Sequence, residues 1–501
     1  MKRLLLVAAL CFAPLAWGQM EHADPVTPDA MPETRALLKF LQSISGTYTL
    51  SGQHNFPTTH DRNSQFAGRY AGQTPIIWGS DWGHAVASST DSIYARPDIV
   101  QEAIRQNRMG SIVALCWHAI PPTSDEPGTF MPLPGADPAQ LKSVQGKLLD
   151  QQFQDILTPG TPLYNHWCQQ VDVIAGYLKQ LQDAHVPVLW RPYHEMNGDW
   201  FWWAYHTKEP YTTRALYKQI FDRFVNYHHL KNLLWVWNVD RPSRPGMEYD
   251  KYFPGVQYCD VLALDAYNGD FAQSYYDTIA GLSQGKVMAL AEVGNPPTPE
   301  VLTKQLRWSY YMIWSGFVEE TPVAEMERLY SDPRVLTLDD PAYWTAIQPY
   351  RTAVGFPPLR FRTAPPSLTG AWVLDRDRST FESQGRNFSP TRMQVVDGGS
   401  SLSVTGTRGT EFDTVQPINF TASLDGSPVL SQIMGNGAVS TGWRSPSGVI
   451  QIDDERHFGP GPAITTRETW ALSEHGQVLV IDRDTETAQG LAHGHLIYLR
   501  E

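Results

Sequence analysis

Between about residue 45 and residue 316 the chain repeats one pattern: a short, nearly continuous apolar run, then a stretch with helical spacing. The runs are "TYTLSGQ", "PIIWGSDW", "SIVALCWH", "VPVLWRPYHE", "NLLWVWN", "DVLALDAY", "KVMALAEVG" and "YYMIWSG". They are rich in Val, Ile, Leu and aromatic residues, as strands buried on both faces are. The intervening stretches have a different period. In "NHWCQQVDVIAGYLKQLQDAH" the residues Cys168, Val171, Ile174, Ala175, Leu178 and Leu181 recur at steps of three and four. Leu216, Ile220, Phe221 and Phe224 do the same in "TRALYKQIFDRFVNYHH", so each segment reads as a helix with one apolar face. Eight strands alternating with helices over roughly 270 residues predict an α/β fold of the (β/α)8 TIM-barrel type. Local pattern does not show closure, and a doubly wound open sheet is the alternative.

The pattern changes after residue 346. Residues 347–366, "IQPYRTAVGFPPLRFRTAPP", are rich in proline and read as a linker. Beyond them "SLTGAWVLD", "MQVVD", "SLSVTGT", "GVIQIDD", "TTRETWALS", "QVLVIDRD" and "HGHLIYLRE" alternate apolar and polar positions between Gly, Asp, Asn and Ser. Half-buried antiparallel strands have this signature, so residues 367–501 are expected to form a smaller all-β barrel or sandwich. A chain of 501 residues is too long for one ordinary core. The expected division is therefore a barrel domain over 30–346, the linker, and a β-rich accessory domain.

The first residues, "MKRLLLVAALCFAPLAWGQ", have a basic start, a short apolar run and small residues before Gln19. This predicts a signal peptide over residues 1–18 and a secreted or periplasmic protein with no membrane insertion after the signal is removed. The apolar run is shorter than the roughly 20 residues a membrane span needs. Leu10 before Cys11 speaks against lipid attachment there, and Cys11 leaves with the signal. The remaining cysteines, Cys116, Cys168 and Cys259, have no metal-ligand spacing. They are too few for a disulfide framework, and one bridge is left open. A net charge of −13 and the lack of a basic block work against nucleic acid as a partner. No Walker-type loop or dinucleotide fingerprint is present, and no cofactor or metal is expected.

Chemistry enters at the ends of the apolar runs. His54, Asp81, His118, Glu195, Asn238, Asp265, Tyr267 and Glu292 lie at or just after their C-terminal ends, where a barrel carries its active site. Glu195 closes the fourth run and Glu292 the seventh, and strands four and seven face each other across a barrel mouth. Two carboxyl groups aimed at one bond suit glycoside hydrolysis, with one protonated to release the leaving oxygen and the other ionised. Glu195 lies among the indoles of "YHEMNGDWFWW", which raise a carboxyl pKa and suit an acid. Glu292, in "ALAEVG", has small neighbours that let a sugar ring approach, and Tyr267 is placed to hydrogen-bond its ionised form. Sugar rings stack on indoles while their hydroxyls need polar partners, so Arg191 and Asp265 join the expected binding groups. Trp117, Trp202, Trp235, Trp237 and Trp314 are the candidate stacking surfaces.

These residues resemble a known family. "RPYHEMNGDWFWW", Trp117–His118, "LDAY" at 264–267 and "AEVG" at 291–294 are similar to glycoside hydrolase family 26, typified by secreted endo-β-1,4-mannanases. The resemblance spans about residues 36–330. It implies a (β/α)8 barrel and a retaining double displacement without a metal, with Glu195 as acid/base, Glu292 as nucleophile and Tyr267 bonded to the nucleophile. By the same match His118, His194, Trp200 and Trp314 shape the subsite of the sugar being cleaved. Ser315 departs from the arginine that some family mannanases carry after the tryptophan, and "EVGNPP" is an uncommon, proline-stiffened loop. The expected partner is a polysaccharide, β-mannan, bound by a monomer. The same mechanism on mixed-linkage β-glucan or β-1,3-xylan, and a non-catalytic glycan-binding protein, are the alternatives. "SLTGAWVLDRDRSTF" loosely resembles the opening of small lipocalin-like barrels, while a polysaccharide-binding module and a stabilising appendage are further readings of the last domain.

Overall fold

The computed structural model describes residues 24–84, 92–356, 367–381, 389–409, 415–433, 436–445, 448–456, 463–473, 476–487 and 490–501. The signal-like segment 1–18 and residues 357–366 of the linker lie outside them.

The eight apolar runs are eight parallel strands: β1 (Gly52–His54), β2 (Ile77–Asp81), β3 (Ile112–Trp117), β4 (Val188–Pro192), β5 (Leu233–Asp240), β6 (Val261–Ala266), β7 (Val287–Val293) and β8 (Trp308–Ile313). Each pairs with the next, and β8 also pairs back to β1 through Gln53 and Ile313, so the sheet is a closed barrel and not an open one. Every residue of these strands is buried. Their inward faces contribute Ala114, Leu189, Ala263 and Ala289 to an apolar cluster that continues into Leu37, Leu41, Tyr343 and Ile347. Those last four belong to the helices Pro32–Ile44 and Pro341–Ala353, which pack on each other and close the N-terminal end of the barrel. The opposite end stays open to carry polar side chains. Residues 347–353 of the proline-rich stretch are thus helical, because Ile347 and Tyr350 continue the buried face past Pro349.

The helices form where their period predicts. Pro162 opens the helix Pro162–Asp183 at a position whose N–H needs no partner, and Thr161 Oγ1 accepts the N–H of Tyr164 at 3.1 Å. Its buried stripe is Trp167, Gln170, Val171, Ile174, Ala175, Leu178 and Leu181.

The last domain is a ten-stranded antiparallel meander: β9 (Gly370–Phe381), β10 (Arg392–Asp397), β11 (Ser401–Gly409), β12 (Val415–Ser423), β13 (Val429–Ile433), β14 (Asn436–Arg444), β15 (Ile450–Arg456), β16 (Ile464–Ser473), β17 (Val478–Thr487) and β18 (Gly490–Arg500). First and last strands pair through Trp372 and Arg500, and the edge strands β12 and β13 come together, so the sheet curls into a barrel and not a sandwich. Trp372, Val395, Leu402, Ile452, Trp470, Leu479 and Tyr498 fill it. Arg378 on β9 joins the two domains by bonding Asp61 at 2.7 Å, and Asp61 also takes Arg105 at 2.6 Å. Among the described residues no helix is long and apolar enough to cross a membrane.

Candidate active site

One buried cation organises the open end of the barrel. Arg191, near the end of β4, is 3% exposed, and its two terminal nitrogens donate to Asp265 Oδ2 at 2.8 Å and to Glu292 Oε2 at 2.6 Å. Burial opposes its charge, but Asp265 and Glu292 outweigh that and raise its pKa well above the ordinary value. The two carboxylates meet because of a local irregularity. Leu264 of β6 pairs with Leu290 of β7, yet Asp265 pairs with Glu292, so β7 carries one extra residue between them. A bulge of this kind re-aims the side chain that follows it. Asn238 on β5 completes the floor by donating to Asp265 at 2.8 Å, while its carbonyl oxygen accepts the backbone N–H of Glu195 at 3.1 Å.

Glu195 stands on a strained turn beyond β4. Its φ is +49°, as is that of Tyr193, a region that costs a non-glycine residue roughly 1–2 kcal/mol. The surroundings hold it there. Asn197, wholly buried, donates to Asp240 O at 2.7 Å and accepts the Asp240 N–H at 2.7 Å, while the Trp203 indole donates to His194 O at 2.8 Å. Gly198 lets Trp200 fold back over the turn, since a Cβ at Gly198 would overlap the Trp200 ring. From that position Trp200 donates its indole N–H to Glu195 Oε2 at 2.5 Å.

The two glutamates differ in state. Burial first, then the charges of Glu292, Asp265 and Asp240, push the Glu195 carboxyl well above the usual range, against the hydrogen bond from Trp200. Among the described residues Glu195 has no cationic partner, and it keeps its proton. Glu292 accepts from Arg191 and, through its other oxygen, from the Tyr267 hydroxyl at 2.5 Å. One oxygen each of Glu195, Asp265 and Glu292 lie within 4.8 Å of one another. Arg191 pairs with two of the three and Glu195 keeps its proton, which leaves a metal ion little net charge to bind here.

Histidines line the adjoining wall. His118 Nδ1 bonds Asp81, whose other oxygen accepts the His118 backbone N–H at 3.1 Å, and His118 Nε2 lies 3.1 Å from His194 Nε2. Burial, with the Arg191 charge next, pushes the His194 pKa well below the ordinary value, so His194 is neutral. His54 bonds Ser315 Oγ at 2.8 Å and stacks on Trp314 with ring centroids 4.1 Å apart.

The fold thus brings His118, Arg191, His194, Glu195, Trp200, Asp265, Tyr267, Glu292 and Trp314 to one end of the barrel, but with different exposure. Arg191 and Asp265 are buried beneath the carboxylate pair, where Arg191 bonds Glu292 and Asp265 bonds Arg191 and Asn238. The tryptophans divide as well. Trp117, Trp202, Trp235 and Trp237 are fully buried, and Trp202 and Trp237 donate to the backbone oxygens of Ala119 and Tyr252 at 2.7 and 3.2 Å. They serve the scaffold and offer no face to a sugar. Trp200 and Trp314 keep part of their surface exposed.

With this geometry in place, comparison with known proteins decides the family. The model of "Glycosyl hydrolase family 26" matches residues 26–340. The chain belongs to glycosyl hydrolase family 26. A relative from Thermothelomyces thermophilus named mannan endo-1,4-beta-mannosidase is 31% identical over 333 residues, covering 63% of this chain and 63% of that enzyme. The match thus spans just under two thirds of the relative's own length. Among solved structures, GH26A from a Muricauda species is 38% identical with a TM-score of 0.57, covering 62% of this chain and 98% of that one. The Podospora anserina GH26-CBM35 beta-(1,4)-mannanase is 27% identical with a TM-score of 0.53, covering 68% and 72%.

Some members of this family 26 site were hidden from sequence reasoning. Asn197 and Gly198 carry no reactive group, and their value lies in contacts 43 residues away or in a missing side chain. Phe130, in the long loop after β3, packs against His118 and Phe201 at centroid distances of 5.4 and 6.3 Å. No local pattern marks such a residue. Cys116, Cys168 and Cys259 are all free thiols, which settles the bridge left open above.

Proposed function

We propose that the protein is an exported retaining endo-β-1,4-mannanase. The observation that carries this reading is the Glu195–Glu292 pair, with one oxygen of each within 4.8 Å. Retaining glycosidases hold their carboxyl groups about 5–5.5 Å apart, and inverting enzymes leave a wider gap for water. The names of the relatives support mannan as the polymer. The lysine- and arginine-initiated apolar segment at residues 2–15 supports export.

In the first step Glu195 gives its proton to the glycosidic oxygen while Glu292 attacks the anomeric carbon. The ester that forms removes the charge of Glu292, the largest electrostatic influence on Glu195 after burial. The Glu195 pKa then falls, and the same carboxylate takes a proton from the water that releases the sugar. Tyr267 and Arg191 hold the attacking carboxylate throughout.

Purified protein offered β-mannan, galactomannan, mixed-linkage β-glucan and β-1,3-xylan tests the reading. Short mannooligosaccharides from mannan, with the configuration retained in the first product seen by NMR, are expected. Glu292→Ala should lose turnover by orders of magnitude. Products from another polymer alone would overturn the substrate, and inactivity on all four would leave a glycan-binding protein.

A further inference from the structure

Beneath the histidine wall lies a buried thiol that the hydrolytic mechanism does not use. The Cys116 Sγ is 3.7 Å from His54 Nε2 and 3.5 Å from Asp81 Oδ2. The three residues stand on adjacent strands β1, β2 and β3, and all are buried. Cys116 pairs directly with Asp81, and His54 pairs with Gly79 two residues before it. One ligand atom of each lies within 4.8 Å of the other two. A tetrahedral zinc ion with ordinary bond lengths separates a thiolate sulfur from a neighbouring imidazole nitrogen or carboxylate oxygen by about 3.5 Å. The two sulfur edges already have that length.

The histidine is also held as a ligand would be. His54 Nδ1 is hydrogen-bonded to Ser315 Oγ at 2.8 Å, and Nε2 faces the sulfur. A ligating histidine held through its other nitrogen is the usual arrangement of metal sites.

We propose that His54, Asp81 and Cys116 form a binding site for a thiophilic divalent cation of the zinc or cadmium type, and that filling it stops hydrolysis. The cation bonds Sγ, and the thiol proton passes to solvent. Thiolate, imidazole and carboxylate supply three ligands, and water completes the tetrahedron. Asp81 Oδ2 now serves the metal in place of His118. His118 loses its fixed orientation, and with it the contact to His194 beside Glu195. The inhibition rests on the reading of the site as hydrolytic, whereas the binding does not.

The test titrates the full chain carrying Cys168→Ser, which removes the partly exposed thiol, with cadmium chloride. The readouts are thiolate-to-cadmium absorption in the ultraviolet and stoichiometry by calorimetry. One cadmium per chain with a thiolate band is expected. The band should vanish in Cys116→Ser and in Cys116→Ala, both checked for native thermal unfolding, and His54→Ala should bind about ten- to hundredfold more weakly. Mannan hydrolysis should fall with cadmium and return with EDTA, and hydrolysis by Cys116→Ser should no longer respond. No band in the folded chain, or a band that survives both Cys116 substitutions, overturns the site. Binding without loss of hydrolysis overturns the inhibition alone, and a chain inert on every glycan still reports binding by its absorption.

Discussion

Arg191 and Glu292 are joined at 2.6 Å through a guanidinium that also holds Asp265 at 2.8 Å, so one buried cation serves two carboxylates and leaves Glu195 with none. Under the proposed mechanism, this unequal sharing of a single charge separates the acid, Glu195, from the nucleophile, Glu292.

Arg191→Met should therefore do more than slow the reaction. Removing one partner of a buried pair leaves its carboxylates uncompensated, at about 3–5 kcal/mol. The unfolding free energy from urea denaturation should drop by that amount at neutral pH, with turnover abolished. Arg191→Lys keeps the charge but has no planar fork to span both carboxylates. It should recover much of the stability and remain about a hundredfold slower.

Gly198→Ala isolates the contact between Trp200 and Glu195. The new methyl group displaces the indole, and Glu195 loses the hydrogen bond that restrains its pKa. The alkaline limb of the kcat/KM profile should move to higher pH while kcat falls. An unmoved limb with a lower kcat would show that Trp200 acts only on the sugar.

The raised pKa of Glu195 has a signed consequence for stability. A carboxyl raised by folding contributes stability that is complete below its unfolded value near 4.3 and lost as pH climbs through the folded value. Glu195→Gln cannot ionise. Its melting temperature should thus fall less than the parent's between pH 4 and pH 8, as scanning calorimetry would show. Parallel curves would mean that Glu195 is an ordinary acid.

Tyr267→Phe removes one of the two donors to Glu292. A hydrogen bond to a charged group contributes about 1.5–3 kcal/mol, so kcat should fall by roughly ten- to hundredfold. KM should change little, because the lost contact is to the enzyme's own carboxylate and not to the polymer.

Much of the fold was legible because barrel strands are buried on both faces and so read as unbroken apolar runs. All eight appear in the chain at their predicted places, and Glu195 and Glu292 could be placed by strand count alone. In the last domain β12, β13 and β14 escaped notice. Pro417 interrupts the first of these, Gly437 and Gly442 thin out the third, and β13 has only five residues. The meeting of Glu195 and Glu292 was legible, but the division of the tryptophans was not. Trp200 and Trp202 are two residues apart in one motif, yet one bonds the acid and the other lies under the wall. Only packing distinguishes them. The same holds for Cys116, whose neighbours His54 and Asp81 lie 62 and 35 residues away and form no spacing motif.

Both barrels are sealed by pairing their first strand with their last: Gln53 with Ile313 in one, Trp372 with Arg500 in the other. Neither ring can close until its final strand has left the ribosome, so the emerging chain offers no finished domain for its first three hundred residues. Loop closure over such separations is slow, and the open chain keeps its strands available. Each barrel locks only when its closing strand arrives.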